Sequence, residues 1–135
     1  MGNIISYLKW RGDFSFEQIP FNEVDNLILS ELAYAKMYGI VPGPEENRSI
    51  LLKDAVAFYR EENRGETKEL GTLLDEMAKS RRFGRTKLSG YTDIIDDDEK
   101  TQFSAARAEL ENQTIYIAFR GTDSTIIGRR KAEWE

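Results

Sequence analysis

The chain has 135 residues, 40% hydrophobic and 32% charged, with a formal charge of -5 at pH 7. That is enough apolar material for one buried core, and it argues against global disorder and against a dedicated nucleic-acid binder, which needs clustered cations. Cysteine and histidine are both absent, which excludes disulfides, thiolate metal sites, a cysteine nucleophile and any Ser-His-Asp triad built from this chain alone.

The first residues lack the basic start and long apolar core of a signal peptide. No apolar run approaches the roughly 20 residues that span a bilayer. The expected location is therefore cytoplasmic. Gly2 and Ser6 fit the short myristoylation pattern, a pattern that also arises by chance. Ile4, Ile5, Leu8 and Trp10 suggest a short helical segment, broken at Gly12-Asp13. Phe14 and Phe16 then read as an extended, alternating piece. Pro20-Phe21-Asn22 announces a helix from about Asn22 to Tyr38, with Asn22 or Asp25 as N-cap. Its stripe is Val24, Leu27, Ile28 and Leu32. Gly39 ends it, and Pro42-Gly43-Pro44 prevents an immediate restart.

Ser49 can cap a second helix with Leu52, Ala55, Val56 and Tyr59 on its buried face. A third begins near Thr67, with Leu70, Leu73, Leu74, Met77 and Ala78 inward. Gly71 should weaken it by about 1 kcal/mol relative to alanine. After Gly84 the period changes. Leu88, Tyr91, Ile94 and Ile95 suggest a strand, and Asp96 to Glu99 an acidic turn. Gln102 to Leu110 reads as the next strand and Glu111-Asn112-Gln113 as a tight connection. Thr114 to Phe119 closes an antiparallel meander. It places Ile115, Ile117 and Phe119 on one face and Tyr116 and Ala118 on the other. With both faces apolar, that strand is expected inside a larger sheet.

Three motifs carry little. Ser6-x-x-Lys9 lacks companion motifs. Asp96-Asp97-Asp98-Glu99 lacks the spacing and glycine of a calcium loop. Lys79, Arg81, Arg82, Arg85 and Lys87 form a basic cluster that can bind an anion, but positive charge at a helix C-terminus also follows from the helix dipole. No metal and no cofactor is expected.

The strand that ends Phe119-Arg120-Gly121-Thr122-Asp123 is more specific. Such a corner offers backbone N–H groups and a hydroxyl at a sheet rim, suited to an oxyanion. An ordinary strand closed by a glycine turn gives the same text. Residues 115 to 123, with Pro20 to Ser30 and Phe103-Ser104-Ala105, resemble a bacterial, uncharacterised lipase-like α/β-hydrolase family similar to class 3 lipases. That resemblance implies an oxyanion-hole role for Thr122, with Arg120 and Gly121 as structural parts of the motif. It supplies no nucleophile, because the family's serine elbow, acid and histidine lie further on.

The expected fold is α+β: N-terminal helices packed on a short, mainly antiparallel sheet, matching by resemblance the front of an α/β-hydrolase. Residues 1–85 are expected to be mainly helical, 86–122 a β-meander and 123–135 a divergent tail, within one incomplete domain. On the resemblance, the chain is an inactive fragment or truncated form of a serine ester hydrolase. The alternative is a non-enzymatic remnant that associates, with itself or a protein partner, through an uncovered sheet edge.

Overall fold

The computed structural model describes residues 2–62, 68–96, 98 and 101–121. Helix α1 spans Gly2–Arg11. It buries Leu8 and ends where Gly12 N–H donates to the Leu8 carbonyl at 2.8 Å. Residues 12–19 form turns rather than an extended piece, so Phe16 is buried while Phe14 remains partly exposed.

Helix α2, Glu23–Ser30, starts at the expected N-cap. The Asn22 side chain accepts from Val24 and Asp25 N–H, and the Asp25 carboxylate accepts from Asn22 N–H at 3.0 Å. This is a reciprocal capping box. The helix is shorter than expected. It tightens into a 3-10 turn, Glu31–Tyr34. From Ala33 within that turn onward, Ala33, Ala35 and Met37 are buried at every second position, a period that no α-helix satisfies.

Strand β1, Ile50–Leu51, precedes helix α3, Leu52–Glu62, where Ser49 was expected to cap directly. Leu52 N–H is used by the Thr86 carbonyl at 2.7 Å, which fastens the helix start to the sheet. Helix α4, Lys68–Lys79, buries Leu70, Leu73, Leu74 and Met77 and packs on α3. A Cβ on Gly71 would meet the guanidinium of Arg60, the movable end of a partly exposed side chain that reaches Asp75 at 3.3 Å, so packing does not demand glycine there.

Strands β2 (Lys87–Asp96), β3 (Thr101–Glu109) and β4 (Ile115–Gly121) complete the expected meander. The sheet order is β1-β2-β3-β4, antiparallel throughout. The fold is thus α+β. Leu88, Ala106, Ala108 and Ala118 face the helices and join one core with Leu29, Leu52, Tyr59 and Met77. The register breaks between Ser89 and Thr92, where Gly90 and Tyr91 stand opposite Ala106. Gly90 has φ +61. This bulge explains why Leu88 and Tyr91, three apart, are both buried on one face of a strand.

Candidate functional site

Among the described residues β4 pairs with β3 alone, so it is an edge, not the interior strand its composition suggested. The register sets its surroundings. Phe119 stands opposite Ala105, Ile117 opposite Arg107, Ile115 opposite Glu109, and Ile94 opposite Phe103. These residues share the face turned away from the helices. Ile94, Ile115 and Ile117 are 55%, 50% and 48% exposed. Phe103 and Phe119 stack, with ring centroids 6.2 Å apart. An apolar strip therefore runs along the outer face beside the open edge. Exposed strips of this kind on a sheet edge mark interaction surfaces or aggregation sites.

The inner face of β4 is fixed to the helical layer. Ala118 is buried, and the Tyr116 hydroxyl donates to Asn26 Oδ1 at 2.5 Å. Arg120 lies over the Tyr34 ring, 5.6 Å from its centroid. Ser104, opposite Arg120, donates to Asp93 at 2.8 Å. Tyr91 is buried nearby. Burial pushes its phenol above the usual tyrosine range, and the Asp93 charge adds to the effect. The Met37 backbone and the Ser104 hydroxyl moderate the shift, yet among the described residues neither closes a hydrogen bond to the phenol oxygen.

The basic cluster of the sequence does not assemble. Arg82 is fully buried and forks onto Asp25, with Nε–Oδ1 2.8 Å and a second bond of 2.6 Å to Oδ2. Its remaining N–H groups donate to the carbonyls of Phe14, Ser15 and Pro20, each at 3.2 Å. Its plane covers Phe16, 4.1 Å from the ring centroid. Lys79 pairs with Glu76 and Arg85 with Glu111. Sequence reasoning placed Asp25 only as a cap. The partner 57 residues away leaves no local signal.

Of the proposed site residues, Arg120 and Gly121 end β4, and Gly121 pairs with Phe103. Thr122, given the oxyanion role, lies outside the described residues, as does the tail 123–135. Among the described residues no group of three or more acidic side chains could hold a metal ion, and no helix is long and apolar enough to cross a membrane.

The described elements define an α+β protein with its helices on one face of an antiparallel meander. Over residues 77–132, less than half of the chain, the sequence is similar to the Mbeg1-like family. No curated protein and no solved structure matches it. The family match corrects the lipase-like resemblance and the hydrolase assignments drawn from it, because the family found is a different one. The physical reason is visible in the elements. Pro20 to Ser30 lies outside the matched residues and is a capping box leading an apolar helix. Residues 115–121 are an apolar strand closed by glycine, which many sheets contain.

Proposed function

We propose that the chain is an association module, and that β4 of one copy pairs antiparallel with β4 of a second. The observation that carries this reading is the half-exposure of Ile115 and Ile117 on a strand with one side unpaired among the described residues. The strand has no proline or lysine, and its one charged side chain, Arg120, is turned to the helical layer over Tyr34, so the outer face of the edge carries no charge against strand addition.

The sequence of β4 favours its own copy. In an isologous pair, residue i meets j and j meets i. A two-fold axis at Ala118 sets Ile117 against Phe119 and Tyr116 against Arg120 of the other copy. The first pair is aliphatic on aromatic and the second cation on aromatic, both favourable across strands. Small Ala118 meets itself. No like charges face each other in this register.

Light scattering of the purified chain over a wide concentration range tests the proposal. The expected result is a reversible monomer–dimer equilibrium, with Ile117→Lys weakening it by about tenfold or more. Ile117 is exposed, so that variant should keep its fold. A monomer at every concentration, or a dimer indifferent to Ile117→Lys, would sink the reading.

A further inference from the structure

A cleft of about 580 Å³ opens on the other half of the outer face, away from the β4 edge. One wall is the segment from Gly43 to Ser49, and the other is formed by β2 and β3. Three cations line it from three separate places in the chain: Arg48 before β1, Lys87 on β2 and Arg107 on β3. Glu109 is the carboxylate among the lining residues. Positive charge therefore exceeds negative there, although the whole chain carries -5.

The cations retain unused donors. Arg48 spends one amino group on Glu46 at 2.9 Å, and the second Glu46 oxygen accepts from Gly43 N–H at 2.6 Å. The Arg107–Glu109 distance is 3.5 Å, at the long end for an ion pair. Lys87 has no ion-pair partner among the described residues. A short 3-10 turn, Pro44–Glu46, is followed by Asn47 in the left-handed region at φ 50 and ψ 43. That turn carries Asn47 and Arg48 into the cleft wall, while Glu46 N–H is spent on the Gly43 carbonyl at 3.2 Å.

We infer that this cleft binds a small phosphomonoester. Two guanidinium forks and an ammonium suit a tetrahedral dianion better than a single carboxylate. The cavity volume lies within the range of small-molecule sites and leaves room for an organic group behind the phosphate. The inference does not depend on pairing through β4.

Calorimetric titration of the full chain with glycerol 3-phosphate and with inorganic phosphate tests it, with glycerol as the neutral control. Saturable one-to-one binding of both phosphates is expected, and none of glycerol. Lys87→Gln and Arg107→Gln should each weaken binding by about tenfold or more. Arg81→Gln, an exposed cation outside the cleft, should leave it unchanged. Absence of saturable binding by about 1 mM phosphomonoester would overturn the proposal. So would equal weakening by Arg81→Gln, which would show only a general response to charge.

Discussion

At the scale of single residues, Asp25 and Arg82 are the most constrained groups described. Both side chains have no exposure, and every guanidinium N–H direction is used. Burying two charges is costly, and the fork and carbonyl contacts offset that cost. Removing one partner leaves the other charged and enclosed. Asp25→Ala or Arg82→Met should therefore cost about 3–5 kcal/mol in urea unfolding. The double variant should cost less than the sum of the two. Tyr91 is the opposite case, a buried hydroxyl without a partner among the described residues. Tyr91→Phe should be neutral or stabilising, by up to about 1 kcal/mol. The phenol also links stability to pH. Its folded pKa is raised, so above the ordinary tyrosine value the unfolded chain loses its proton first. Stability should fall as pH climbs past about 10, and Tyr91→Phe should flatten that fall in a pH series of melts. None of these roles was legible in the sequence. Arg82 sits among four other cations, and its selection depends on a carbonyl cage made by residues 14 to 20.

At the scale of elements, most of the architecture was legible because each helix carries a stripe and a stop. Asn22, the α3 and α4 stripes and the three strands of the meander all followed from period and capping. Errors fell where tertiary contacts overrule local pattern. The α2 region gives way to a period of two at Ala33, Ala35 and Met37, and Ile50–Leu51 is claimed by β2 before α3 can begin. Two glycines set turns that other residues would not fit. A Cβ on Gly84 would stand 2.7 Å from the carbonyl oxygens of Ala78 and Ser80. Gly90 holds φ +61 inside the bulge. Gly84→Ala should cost about 1–3 kcal/mol by overpacking, and Gly90→Ala about 1–2 kcal/mol by left-handed strain. Denaturant midpoints that do not move would refute both assignments.

At the scale of the whole molecule, the described helices lie on one face of the sheet and leave the other open. The sequence showed apolar residues on both faces of β4 but not that, among the described strands, it stands at the edge. That distinction depends on which strands exist to pair with it, and no local pattern records it. The outer face divides into an apolar strip beside β4 and a cationic cleft beside β1. Replacing Ile115 and Ile117 together with threonine should lower binding of a hydrophobic fluorescent dye while leaving the helical circular dichroism intact. Dye binding that persists would show that the strip is not the exposed apolar surface.

The Asp25–Arg82 lock has a consequence for how the chain can be divided. One half of the lock belongs to the segment before residue 63, and the other to the segment after residue 67. A nick made between them would give two peptides, each holding half of an ion pair that is stable only when enclosed. Neither peptide should hold its shape alone, yet the mixture should reconstitute, and reconstitution should fail when either peptide carries Asp25→Ala or Arg82→Met.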